Sequence, residues 1–277
     1  MPFLSEPLSV SGGDYLVLSG IQLIAGAVLL GFTLFLSLLL RLGLNRSLGI
    51  AALRMVAQLL LVGLVLDWIF AMENPWLILL MALVMACVAA WSAVGQTRRH
   101  FSGLYWNCLI SILVSSFLVT GLALKGIFHL ETWYSPQYLI PLLGMLLGNT
   151  LNGISLALDR FLDELHDQRD LVETFLSLGA TSWEACHHLF RSSMRTGLIP
   201  TINSMAVMGI VSLPGMMTGQ ILAGVSPGEA VRYQIVIVFM ITASVTLGTA
   251  LVLLLAYRTM FSPRHQLMLY RLGRKNN

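Results

Sequence analysis

Seven runs of apolar residues, at about 15–40, 50–70, 76–95, 105–124, 137–157, 197–222 and 230–257, leave this chain few folds to choose from. About 20 helical residues cross a hydrocarbon layer about 30 Å thick. Each run is close to that length or longer, and none shows the period-two alternation of a strand. Backbone amides in lipid must bond within their own segment or to protein neighbours, so runs of this kind are helices. Of the 277 residues, 57% are hydrophobic and 10% are charged, against roughly 25% charged in soluble domains. The expected class is all-α: a polytopic membrane protein with seven transmembrane helices.

Orientation follows from the positive charges. With the N-terminus outside and the C-terminus cytoplasmic, all but two of the sixteen lysines and arginines fall on the cytoplasmic side, leaving Lys125 and Arg232 outside. Short loops are where this bias governs topology. The thirteen acids divide almost evenly between the two sides, as a rule about positive charge allows. Tyr15, Trp68, Trp76, Trp106, Trp133, Tyr134 and Tyr257 lie near run ends, where amphipathic rings favour the headgroup layer. Residues 1–14 carry no basic stretch ahead of an apolar run, so no cleavable signal peptide is expected. The whole chain, 1–277, reads as one transmembrane domain without repeats or linkers.

Several functions are excluded by what the residues lack. Cys87, Cys108 and Cys186 have no CxxC or Cys/His spacing, so neither disulfides nor a zinc site are expected. A formal charge of +3 gives no reason to expect nucleic acid as a partner. The phosphate-binding pattern GxxxxGK[ST] is absent, so nucleotide hydrolysis does not reside in this chain. No His/Asp/Ser or metal constellation approaches catalytic spacing, so an enzyme is disfavoured. His100, His166, His187, His188 and His265 are assigned to the cytoplasmic side and His129 to the outside, which makes no ligand set in the membrane.

The one long polar segment is 158–196, which contains all seven acids assigned to the cytoplasm. Phe161, Leu165, Gln168, Val172, Phe175 and Gly179 recur at spacings of four and three, with acids opposite, so an amphipathic helix should continue from the fifth span to Gly179. Glycine is the usual residue at a left-handed helix end. Thr181 stands three before Glu184, a capping-box spacing that should start a second, short helix with Trp183, Cys186, Phe190 and Met194 on one face. The segment reads either as a helix pair lying on the membrane or as a docking element. Its acids favour a protein partner, because an anionic leaflet repels them.

Polar or helix-breaking residues inside spans are the candidate pathway. Arg54 and Gln58, one turn apart, either face a shared interior site or leave Arg54 to snorkel toward the headgroups. Asn149 and Asn152, near Gly144, Gly148 and Gly153, either line a cavity or bond across a close helix contact. Pro214-Gly215 should interrupt the sixth span and mark a gate or binding element. Met216 and Met217 follow the break; thioethers ligate soft metals such as Cu(I), but methionine more often packs irregular gaps.

The run Glu173-Thr-Phe-Leu-Ser-Leu-Gly179-Ala180-Thr181 resembles the cytoplasmic signature of ATP-binding-cassette permeases: a Glu six residues before a Gly-Ala pair, then a short helix. Thr174 and Phe175 replace the alanines expected there, and the Leu-Pro expected near Phe190 is absent. A closer resemblance covers nearly the whole chain and is most specific at Ser177-Leu-Gly-Ala-Thr181, Leu198-Ile-Pro-Thr201, Val211-Ser-Leu-Pro-Gly-Met-Met217, Tyr233-Gln234 and Arg264-His-Gln-Leu267. These residues are similar to the FetB-type permeases, the membrane half of a bacterial iron-export transporter. The resemblance implies a helix-turn-helix coupling segment formed by Glu173, Leu178, Gly179, Ala180, Thr181, Trp183 and Glu184. It also implies a homodimer in the bacterial inner membrane bound to two separate ATPase subunits, which carry the ATP and magnesium; this chain itself would hold no cofactor. Plant members linked to aluminium tolerance and nucleotide-sugar transport keep another cargo open, and an ATPase-independent channel or secondary transporter is the alternative mechanism.

Overall fold

The computed structural model describes residues 20–72, 74–128 and 135–274. Residues 1–14, the start of the first run at 15–19, Glu73, His129, Glu131, Trp133, Tyr134 and Lys275 lie outside the described residues. The described residues are helical almost throughout: α1 (Gly20–Leu39), α2 (Asn45–Met72), α3 (Pro75–Gln96), α4 (Leu104–Gly126), α5 (Pro136–Asp167), α6 (Arg169–Ser177), α7 (Ser182–Val207), α8 (Gly215–Leu222) and α9 (Pro227–Met260). Two short strands, β1 (Arg99–His100) and β2 (Gly273–Arg274), pair antiparallel and tie the α3–α4 connection to the C-terminal segment.

Five of these helices, within α2, α3, α4, α5 and α9, are long and apolar enough to cross a membrane; Ala25–Leu39 of α1 is apolar but shorter. Among the described residues, 20–72 with 218–230 form one compact unit and 74–217 with 231–274 form another. The first unit carries α1 and α2. Leu53, Leu59, Leu60, Leu61 and Leu64 of α2 all lie on its surface, an arrangement suited to lipid rather than water.

The second unit holds the core. Ile112 of α4, Leu142, Leu143, Leu146, Ile154, Leu158, Phe161 and Leu162 of α5, and Ile237 of α9 are fully buried. Small residues let these helices approach closely. A Cβ on Gly197 of α7 would stand 2.7 Å from the Gly153 carbonyl oxygen of α5, and one on Gly248 of α9 would stand 2.6 Å from the Thr150 methyl. Such contacts are how helices associate where lipid is the solvent. Hydroxyls complete the interface: Thr150 and Ser116 each lie within hydrogen-bond reach of Ser244, at 2.9 and 3.3 Å.

The structure departs from the sequence expectations in two places. The interruption of the run 197–222 begins earlier than Pro214-Gly215: α7 starts fifteen residues before the run at Ser182 and stops at Val207, and α8 begins at Gly215. The Val207 carbonyl accepts amides from Val211 and Ser212 at 2.9 and 3.3 Å, Gly209 takes φ +83°, and Pro214 has no amide to donate. The second helix of the polar segment is therefore long rather than short. The first does not run unbroken to Gly179 either, because the chain bends at Gln168, with φ −102° and ψ 23°, between α5 and α6. The Gln168 amide still bonds the Glu164 carbonyl at 2.9 Å, so this is a change of direction rather than a loop.

Candidate functional site

Two features stand out in the second unit: the tip formed by α6, the turn and the start of α7, and the break at the far end of α7. At the tip, Gly179 takes φ +91°, a left-handed conformation that a side chain would strain. The amides of Gly179 and Ala180 bond back to the Leu176 and Phe175 carbonyls, closing α6. Thr181 then caps α7. Its hydroxyl accepts the Glu184 amide, while its own amide and hydroxyl donate to Glu184 Oε2, both at 2.8 Å. The Thr181 backbone amide, and then its hydroxyl, hold the Glu184 carboxyl below the usual carboxylate range.

This tip is apolar and exposed. Leu178 is 80% exposed, and Leu171, Phe175 and Trp183 are also surface residues. Glu173 and Glu184 are exposed beside them, and Ala180 is half-buried. Behind the tip the packing is dense. Ala185, Cys186 and Leu189 are fully buried, and burial pushes the Cys186 thiol up to about 12. Trp183 makes edge contacts with His187, Phe190 and Tyr257.

Sequence reasoning did not find the partners that brace the tip. The Ser182 hydroxyl lies 2.7 Å from the Tyr257 hydroxyl of α9, and the segment after α9 folds back so that the Ser182 backbone amide donates to His265 Nδ1 at 3.2 Å. Nor was the role of the acids legible. Asp159, Asp163 and Asp167 fall one turn apart along α5. Arg98 donates its amide to Asp159 at 2.8 Å, and Arg99 donates Nε to Asp163 at 2.7 Å and stands 3.8 Å from Asp167. Glu164 pairs with Arg160 and accepts from the Ser192 hydroxyl at 3.2 Å. Most acids of α5 thus hold the α3–α4 connection and α7, and Asp170, Glu173 and Glu184 are the ones at the tip. The four-residue spacing of the aspartates was the available signal, but nothing in it identifies the arginines as partners.

The second feature is the break. Between the end of α7 and the start of α9 lies a cavity of about 330 Å³, lined by Met205, Met208, Leu213, Pro214, Met217 and Gln234 among others. Gly215 opens α8; Met216, half-buried, does not line the cavity. The span-five asparagines do not line this cavity. Asn149 and Asn152 are exposed on α5, with Asn149 donating to the Met145 carbonyl within its own helix. Arg54 and Gln58 are exposed on α2 in the first unit. Among the described residues no three His, Cys, Asp or Glu side chains converge as a metal-ligand set.

The pattern of the uncharacterised protein family UPF0014 matches residues 20–261. The UPF0014 membrane protein slr1647 of Synechocystis is 42% identical over 78% of this chain and 83% of its own length. The probable iron export permease protein FetB of Escherichia coli is 35% identical over 80% and 84%. The Arabidopsis thaliana protein ALUMINUM SENSITIVE 3 is 35% identical over 77% of each. No solved structure matches.

Proposed function

Since the chain belongs to the UPF0014 family of membrane proteins, we propose that it is the permease subunit of an ATP-binding-cassette transporter, exporting metal ions across a bacterial inner membrane. The single observation that carries this reading is the continuity of α7. One 26-residue helix joins the exposed apolar tip to the break, a length of about 39 Å. A partner ATPase docked on Leu178, Phe175 and Trp183 would move α7 at one end and alter the cavity at the other. Glu173 and Glu184 would set the charge of that docking surface, and Gly179 its backbone path.

In this reading 1–277 is one transmembrane domain of seven spans, with the part of α7 from residue 197 onward and α8 together forming the sixth, the N-terminus outside and the C-terminus cytoplasmic. Two copies pair with two ATPases, and ATP is hydrolysed by those partners. FetB, named as a probable iron exporter, makes iron the first cargo to test.

The test is co-purification with the cognate ATPase, followed by metal-stimulated ATP hydrolysis in vesicles. Leu178→Asp, Gly179→Val and Glu173→Lys should each release the ATPase and abolish stimulation. Retention of the ATPase by all three variants would sink the docking reading, and indifference to ferrous and ferric iron would remove iron as cargo.

A further inference from the structure

We propose that the cavity at the α7–α8 break is a binding site for a soft monovalent metal cation of the Cu(I) and Ag(I) class, held by Met205, Met208 and Met217 with the amide oxygen of Gln234. This gives the broken helix a monovalent cargo class in place of iron, and depends on the transport reading only for the ion's being transported. Three observations support it. First, three thioethers come from both sides of the break: Met205 from the last turn of α7, Met208 from the residue that ends it, and Met217 from the first turn of α8, all lining one cavity of about 330 Å³. Thioethers select soft ions.

Second, Gln234 of α9 lines the same cavity and is 7% exposed, and its Oε1 has no hydrogen-bond partner. A buried amide oxygen without a donor is costly, and a cation removes that cost. Third, the charge of the site fixes the charge of the ion. None of the residues lining the cavity is acidic, and the cost of desolvating an ion rises with the square of its charge. A monovalent ion is therefore favoured over a divalent or trivalent one. The Thr242 hydroxyl, which donates to the Val238 carbonyl at 2.8 Å, lies 3.3 Å from Met205 Sδ.

The test is anaerobic titration of the full-length protein in detergent with Cu(I), in competition with a chromophoric Cu(I) chelator. One equivalent should bind per chain. The Met205→Leu/Met208→Leu/Met217→Leu triple variant should lose it, while its melting temperature stays close to wild type because leucine and methionine exchange with little change of volume. Gln234→Leu should weaken binding by about tenfold. X-ray absorption of the loaded protein should show sulfur neighbours that vanish in the triple variant. No bound equivalent, or binding that survives in the triple variant and disappears on replacing Cys87, Cys108 and Cys186 by serine, overturns the proposal. Binding at the methionines without ATP-driven copper movement in vesicles leaves the site standing and removes the transport role.

Discussion

Replacing Gly197 by alanine adds one methyl group where the structure has no room for it. The new Cβ would lie 2.7 Å from the Gly153 carbonyl oxygen, 2.9 Å from Ala157 Cβ and 3.1 Å from the Thr249 methyl. The closest neighbour is backbone, so no rotamer change relieves the clash. Ordinary contact begins near 3.4 Å, so α7 must move away from α5 by about 0.7 Å at the crossing, against native packing density. Overpacking of this kind costs about 1–3 kcal/mol, and for a chain of this size each kcal/mol lowers the melting midpoint by about 2–4 °C. Gly148→Ala is the matched control, because a Cβ there meets nothing within 4 Å. It removes a helix-interior glycine and should be neutral or stabilising by up to about 1 kcal/mol. The measurement is thermal unfolding of both variants in the same detergent. Equal midpoints for Gly197→Ala and Gly148→Ala would refute the close crossing.

Three further outcomes are expected. The folded-state carboxyl of Glu184 is depressed, so its contribution is fully present above the ordinary glutamate value of about 4.3 and is lost as pH falls through the lower folded value. The gap in melting temperature between wild type and Glu184→Gln should therefore be present at pH 7 and narrow below about pH 4.3; a gap that widens on acidification reverses the sign of the reasoning. Cys186, buried with its thiol raised to about 12, should resist maleimide at pH 7.5 until the protein is denatured, and labelling at the rate of a free thiol would contradict its packing. Arg99→Ala and Asp163→Asn should each cost about 1–2 kcal/mol, the range for a hydrogen bond to a charged partner with some solvent access, and a double-mutant cycle should give less than the sum; strict additivity would mean that the 2.7 Å contact contributes nothing.

What was legible in the sequence was whatever depends on local chemistry. Thr181 and Glu184 mark a helix start by their spacing alone, and α7 starts there with both reciprocal bonds in place. Gly179 marked the turn because only a residue without a Cβ takes φ +91° at no cost. Pro214 placed an interruption in the sixth run, but the helix ends earlier, at Val207, where the chain turns back on its own carbonyl. No proline or glycine precedes the bend at Gln168. Its position accompanies tertiary packing, with the Gln168 side chain meeting His188 at 3.1 Å on α7. Pairs distant in the chain, such as Arg99 with Asp163 or Ser182 with His265, leave no trace in any short window. The same holds for the cavity at the break, since Gln234 reads as one more residue of an apolar helix until its neighbours are known.

The crossing at Gly197 also decides what α7 is able to transmit. It lies about 22 Å from the capped start of the helix and about 15 Å from its end, and it is held on α5 by backbone contact rather than by long side chains. Under the transport reading this crossing would act as the pivot of a lever, α7, that carries displacement from the Leu178 tip to Met208. Pro200 lies three residues beyond the crossing and removes one bond to the Thr196 carbonyl, which puts the most compliant part of the lever between pivot and cavity. Under the transport reading, Gly197→Ala should then lower ATP-driven metal movement more than it lowers ATPase binding, because the tip is intact while its motion no longer pivots on α5. Loss of both in equal measure would reduce Gly197 to a packing position and leave the tip and the cavity without a mechanical link.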